Sequence, residues 1–366
     1  MPILVTWRRL LMTAAVLGAG GLLFAWSGLF NVAASSGHWA VTDWFLHWVM
    51  RNSVKTHSMG ISVPDLSDPA LVRLGAGHYQ TGCAPCHGSP AERQDLSVAQ
   101  ATPPPPPLRD VNEKWEPHHL FWIVKHGIKY TGMPAWVALK RDDEVWAMVA
   151  FLRALPDMNA AAYRDLAFGD VAFLPTRGDS ADRLIAHCAR CHGRDGSGSG
   201  DGAFPLIGGQ AEEYLFDALR AYAAGVRHSG IMQPAVTRGS DSDLAVAARH
   251  YASQRRSVSK QPLNPELVTL GERIAWEGIG REGVPACLTC HGIEGRRRNP
   301  HFPNLDGQYA DYLAGQLKAW KQDARGGGPY GHLMAVIAKR LSADQAVAAA
   351  QAGDDLRGAR DQADYA

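Results

Sequence analysis

The chain has 366 residues, room for two or three domains of ordinary size. Lysine and arginine total 37 against 36 acidic residues, a formal charge of +1, which points away from a nucleic-acid binder or an acidic tail protein. All six cysteines fall in Cys-x-x-Cys pairs, so none is left for the scattered disulfide framework of an exported protein.

Arg8 and Arg9 precede "LLMTAAVLGAGGLLFAWSGLF", 21 residues long enough to span a bilayer and longer than a usual signal-peptide core. The cations come first, so the amino terminus is expected to stay cytoplasmic and the remainder to be exported. Residues 1–31 are therefore read as a signal anchor; a signal peptide cleaved near "VAAS", residues 32–35, is the alternative. Residues 32–66 form an aromatic segment and linker. Trp39, Trp44, Phe45 and Trp48, with Arg51 and Lys55 behind them, suit a helix lying in the membrane interface. A buried core helix is the other reading of the same residues.

Unit one, residues 67–160, opens with a helix over "DPALVRLGAGHYQTG", whose glycines allow close helix crossing. "CAPCH" follows, and "CARCH" and "CLTCH" repeat the pattern: Cys83, Cys86 and His87; Cys188, Cys191 and His192; Cys287, Cys290 and His291. A zinc site usually takes two nearby pairs, and here the pairs lie about a hundred residues apart. A redox dithiol does not need the histidine. Covalent haem needs all three residues: two thiols for the vinyl groups and the imidazole as an axial ligand. Three repeats with no spare cysteine point to three covalently bound haem c groups. Export agrees with this, because c-type haem is attached outside the bacterial cytoplasm. The run "TPPPPPL", residues 102–108, is stiff and extended and reads as a loop shaping the haem crevice, with a recognition segment as the sharper alternative. "DDEVWAMVAFLRALP", with an acidic start and a proline stop, closes the unit.

Units two (161–262) and three (263–352) are copies. Pro205 and Pro303 each precede a glutamine, Gln210 and Gln308, by five residues; Tyr214-Leu215 and Tyr312-Leu313 follow at helical spacing. One feature breaks the match. The closing helix of unit two carries Leu244 and Tyr251, but unit three offers only Ala352 or Gly353 where the tyrosine should recur. A loosely closed third unit and a disordered tail over 353–366 are expected.

A methionine thioether on the second face of the iron would raise the potential and close the site. Met133, Met232 and Met334 lie 46, 40 and 43 residues after the histidine of their unit. Methionine as core filler is the competing reading, and His228 and His332 are competing ligands. Pro205 and Pro303 are candidates to offer backbone carbonyls to the ligating imidazoles. Arg296 to Arg298 could meet haem propionates, a docking partner or only solvent.

These motifs resemble class I c-type cytochromes. Residues 176–342 resemble the two-domain dihaem cytochromes of the c4 type, down to the Gly-Gln-x-x-x-Tyr-Leu spacing, and "TGMPAW" in unit one is similar to cytochrome domains of respiratory complexes. The resemblance implies an all-α fold of three tandem cytochrome c domains after one transmembrane helix, with electron transfer as the activity and no catalytic residues. It places the haem domains in the periplasm, held at the bacterial inner membrane. A quinol-oxidising complex is the implied donor and a haem-copper terminal oxidase the implied acceptor. The second reading is a cytochrome subunit of a membrane dehydrogenase for alcohols, aldehydes or sugar acids, passing electrons to ubiquinone. A haem peroxidase, which needs an iron that loses its sixth ligand, fits a methionine in each unit poorly.

Overall fold

The computed structural model describes residues 6–169, 179–255, 258, 261–292 and 299–354. The Arg296–Arg298 run lies outside them. Among the described residues the fold is all-helical, with only two isolated β-bridges.

α1 (Trp7–Trp26) carries Arg8 and Arg9 in its first turn, has no charged residue after them, and buries nothing against the rest of the chain. α2 (Ala40–His57) also keeps its aromatic face outside. Trp44 is 63% and Trp48 54% exposed, their rings stacked 6.2 Å apart, so the buried-core reading of this segment fails. Only its far end docks on the first unit: Val54 is buried, and His57 meets the Trp122 ring at 5.7 Å.

Unit one comprises α3 (Pro69–Gly82), the one-turn helices α4 (Ala84–His87), α5 (Leu96–Ala99) and α6 (Val111–Lys114), then α7 (Pro117–His126), α8 (Asp142–Ala154) and α9 (Ala160–Phe168). Asp68 caps α3 by accepting from the Ala70 amide, with Pro69 pre-set in the first turn. Three acids, Asp142, Asp143 and Glu144, stand at the start of α8. α3 and α8 cross where a side chain at Gly75 would put Cβ 2.4 Å from the Ala147 carbonyl oxygen. The core gathers Tyr79, Phe151 and Tyr163, all fully buried. Tyr163 and Ala167 belong to α9, so unit one extends to Phe168 rather than ending at 160. Asn159 caps this extra helix, and its aromatic ring completes the cluster around Tyr79.

Unit two holds α10 (Ser180–His192), α11 (Glu212–Ala223), α12 (Met232–Val236) and α13 (Asp241–Ala252). Unit three holds α14 (Pro265–Glu277), α15 (Leu288–His291), α16 (Ala310–Lys321), α17 (Gly331–Arg340) and α18 (Ala343–Asp354). The expected weakness of the third closing helix is not what the structure contains. α18 runs through Gly353 to Asp354, past the boundary expected at 353, and buries Ala348, Ala350 and Ala352. The Gly307 amide donates to the Gly353 carbonyl as the Gly209 amide donates to that of Tyr251, so Gly353 takes the tyrosine's backbone place. Small residues close the unit by letting helices approach. An ideal Cβ on Gly271 of α14 would lie 2.0 Å from the Ala348 oxygen of α18. Gly271→Ala should therefore lower the unfolding free energy by about 1–3 kcal/mol. Gly315→Ala in α16, where nothing lies within 4 Å, should be neutral or stabilising. Denaturant titration of both variants checks the contrast.

Units two and three meet about a local dyad. The Arg227 and Gly326 backbones form a bridge, the His228 amide donates to the Arg325 carbonyl at 2.6 Å, and the Gly327 amide to that of Val226 at 3.0 Å. Unit one joins unit two through Glu144. This buried carboxylate accepts from Ser229 Oγ (2.5 Å), the Gly230 amide (2.6 Å) and Trp136 Nε1 (3.2 Å), and pairs with Arg141 at 3.1 Å.

Candidate haem sites

Each Cys-x-x-Cys-His segment is the last turn of a helix or a single turn by itself. In unit one the His87 amide donates to the Cys83 carbonyl at 2.9 Å, and in unit three the His291 amide to that of Cys287 at 3.0 Å. Spacings of three and four residues therefore bring both thiols and the imidazole to one side. Each turn stops at a glycine, Gly88, Gly193 or Gly292, with φ of 70°, 75° and 70°. These left-handed positions favour glycine, and each amide closes the turn onto the carbonyl four residues back.

The decisive geometry is at the rings. His87 Nδ1 donates to the Pro106 carbonyl at 2.8 Å, His192 Nδ1 to that of Pro205 at 3.1 Å, and His291 Nδ1 to that of Pro303 at 2.8 Å. A carbonyl can only accept, so Nδ1 carries a proton, and in the neutral ring Nε2 then keeps its lone pair for a metal. Burial pushes the pKa of His192 and His291 below the ordinary value, against the opposing pull of the proline carbonyls, and so favours the neutral ring. The thiols move the other way. Burial raises Cys83 and Cys188 to about 12, and Cys191 and Cys287 to about 11. A redox dithiol needs an accessible, lowered thiol, so that reading loses its support.

Both sequence-derived carbonyl donors, Pro205 and Pro303, stand where expected. Pro106 was not singled out, because five consecutive prolines offer equivalent carbonyls; its place against His87 favours the crevice-shaping reading of that loop.

The methionines separate. Met334 lines the same cavity as Cys287, Cys290 and His291, whereas His332 is exposed. Met232 and Cys188 pack on one apolar core of Leu184, Val236, Leu244 and Ala247. Met133 is half-buried in a loop where its amide donates to Thr131 Oγ1 and its carbonyl accepts from the Ile128 amide. Cys83 packs on the core of unit one, and Met133 lies outside that set. The backbone of His228 is engaged on both sides, its amide by Arg325 and its carbonyl by Arg141.

Sequence reading also passed over the charges at the dyad. Arg227 and Arg325 are buried and line the same cavity as His291. Arg227 donates to the Tyr214 and Tyr312 hydroxyls at 3.5 and 3.3 Å, and Arg325 to Gln316 Oε1 at 2.6 Å while lying 3.7 Å over the Trp320 ring. None of these partners is an anion, and among the described residues Arg227 Nε has no partner. Burial, and then repulsion from Arg227, pull Arg325 down to about 10. A buried cation pair of this kind fits the carboxylates that a porphyrin carries. The hundred-residue repeat was the available signal, since both arginines stand 17 residues after Gln210 and Gln308.

Helical units presenting paired thiols beside a carbonyl-anchored imidazole define a protein that carries covalent haem c. Residues 70–152 match the family model for cytochrome c oxidase, cbb3-type, subunit III, and residues 180–247 match that for cytochrome c. The chain is 36% identical over 178 residues to the thiosulfate dehydrogenase electron acceptor of Thiomonas intermedia (strain K12), covering 48% of this chain and 82% of that one. It is 36% identical over 180 residues to cytochrome c4 of Pseudomonas aeruginosa, covering 48% and 88%. The crystal structure of reduced recombinant cytochrome c4 from Pseudomonas stutzeri aligns over 49% of this chain and 98% of that chain, at 31% identity and a TM-score of 0.43. The chain belongs to the class I c-type cytochromes, multihaem electron-transfer proteins that are not enzymes by themselves.

Proposed function

We propose that this chain is a membrane-anchored, periplasmic trihaem carrier that passes single electrons from a periplasmic dehydrogenase or the quinol pool towards a haem-copper terminal oxidase. The observation that carries the proposal is the ring geometry repeated at all three motifs: His87, His192 and His291 each donate from Nδ1 to a proline carbonyl. Haem c bound there supplies a one-electron Fe(III)/Fe(II) couple. Cys83 and Cys86, Cys188 and Cys191, and Cys287 and Cys290 attach it. His87, His192 and His291 would ligate its iron, and Met133, Met232 and Met334 would be the second ligands.

The direction of flow has separate support. Relatives of this chain are named electron acceptors of thiosulfate dehydrogenase, which favours entry from a dehydrogenase of that chemical class. Unit one matches the model of an oxidase subunit and is the unit on which the α2 segment docks, which favours exit at the membrane. α1 serves as the anchor, and the exposed Trp44 and Trp48 suit the lipid interface. The second reading, a cytochrome subunit of a membrane-bound alcohol, aldehyde or sugar-acid dehydrogenase passing electrons to ubiquinone, shares with these relatives only a dehydrogenase as donor.

Mild-detergent purification of the tagged chain from its own membranes tests the proposal. Copurifying oxidase subunits with ascorbate-driven oxygen uptake are the expected result. A dehydrogenase in the same peak, without oxygen uptake but with ubiquinone reduction, would replace it with the second reading. Met334→Ala should keep its haem but open the iron to carbon monoxide; an unchanged carbon monoxide spectrum would remove Met334 from the ligand set.

A further inference from the structure

The amides of Gln210 and Gln308 cross the dyad between units two and three. Gln308 Oε1 accepts from the Leu206 amide at 3.0 Å, and its Nε2 donates to the Leu206 carbonyl at 2.8 Å. Gln210 does the same to Asn304, at 2.9 and 2.8 Å. All four residues are buried. The Leu206 N–H belongs to the same peptide group as the Pro205 carbonyl, and that carbonyl accepts from His192. The Asn304 N–H likewise shares a peptide group with the Pro303 carbonyl that accepts from His291. Two continuous chains result: His192 ring, peptide 205–206, Gln308; and His291 ring, peptide 303–304, Gln210.

We infer that Gln210 and Gln308 are positioning residues that tune the haem of the opposite unit. This rests on the reading above that His192 and His291 are axial ligands. An acceptor on the N–H of a peptide pushes electron density onto its carbonyl, and hydrogen bonds in such a chain strengthen one another where water is excluded. A stronger carbonyl acceptor draws the Nδ1 proton and makes Nε2 the more basic donor, which favours the oxidised iron. Gln308 therefore lowers the potential of the haem on Cys188 and Cys191, and Gln210 lowers that of the haem on Cys287 and Cys290. Each unit's potential depends on its contact with the other, so the pair is tuned as a pair.

The test uses the full holoprotein with Gln308→Met and Gln210→Met, which keep volume and remove the amide. Two readouts are taken: the proton signals of the His192 and His291 Nδ1–H groups in the reduced state, and the midpoint potentials by spectroelectrochemistry. Gln308→Met should move the His192 signal upfield and raise the potential of the haem on Cys188 and Cys191, leaving His291 unmoved. Gln210→Met should give the mirror image. Gln308→Glu, which restores an acceptor oxygen, should bring the His192 signal back to or beyond its original position. Effects confined to each glutamine's own unit, spread equally over both, or absent would overturn the inference; equal spread is what simple loosening of the interface produces. If Gln308→Met does not mature, Gln308→Glu decides alone: a His192 signal at or downfield of the wild-type position supports the inference, and a change at His291 only overturns it. A wild-type His192 ring without porphyrin-shifted signals would instead be a failure of the ligand assignment.

Discussion

His192→Ala is expected to cut the haem content of the purified chain by one third while leaving the other two motifs loaded. The residue is buried, its ring is held neutral, and its Nδ1 is fixed on the Pro205 carbonyl, so the metal-binding nitrogen is aimed before any cofactor arrives. Alanine removes that nitrogen and leaves a buried void where the ring stood. Cys188 and Cys191, both raised to about 11 or 12 by burial, stay as thiols without an iron ligand to hold the porphyrin in register. His87→Ala and His291→Ala should behave alike, each losing its own third. Pyridine haemochrome absorbance per mole of protein measures this directly. Full haem content in any of the three variants would sink the assignment of that histidine.

Glu144→Ala should cost about 3–5 kcal/mol and uncouple unit one from unit two, because it removes one partner of a buried ion pair and its bonds to unit two. The carboxylate receives bonds from Trp136, Ser229 and Gly230, and its partner Arg141 has a side chain only 10% exposed. Burial raises the pKa of Glu144, and Arg141 opposes that rise, so each ion is tolerable because of the other. Without Glu144, Arg141 keeps Asp143, which is largely in water, and the carbonyl of His228. Glu144→Gln, which keeps the volume and one acceptor, should cost less, about 1–3 kcal/mol. Calorimetry of the holoprotein should show one transition dividing into two in Glu144→Ala. A single transition at the wild-type temperature would mean that another contact, such as Arg190 donating to the Gly77 and Ala167 carbonyls, holds the junction.

The sequence by itself determined the cofactor chemistry, the repeat, the all-helical class and the proline carbonyls of units two and three. Those features are local or periodic: a motif within five residues, a helix face, and a spacing repeated between copies. It also showed the aromatic segment, though not which way its tryptophans point. Only the tertiary structure could select Pro106 from five neighbouring prolines, because the choice depends on where His87 points. It alone transferred α9 to unit one, since Tyr163 is buried against Phe151 and against Tyr79, which lies far away in the chain. The third closing helix misled for a related reason. Loss of a tyrosine reads as loss of packing, but Gly271 and Ala348 restore it by bringing two backbones together, a gain that composition does not display. Glu144 looked like an ordinary acid in a first helical turn; its burial comes from a loop of another unit. The glutamines were visible as a repeat, but their role was not. A side chain that reaches across a dyad to the peptide behind another unit's histidine has no signature until both units are placed.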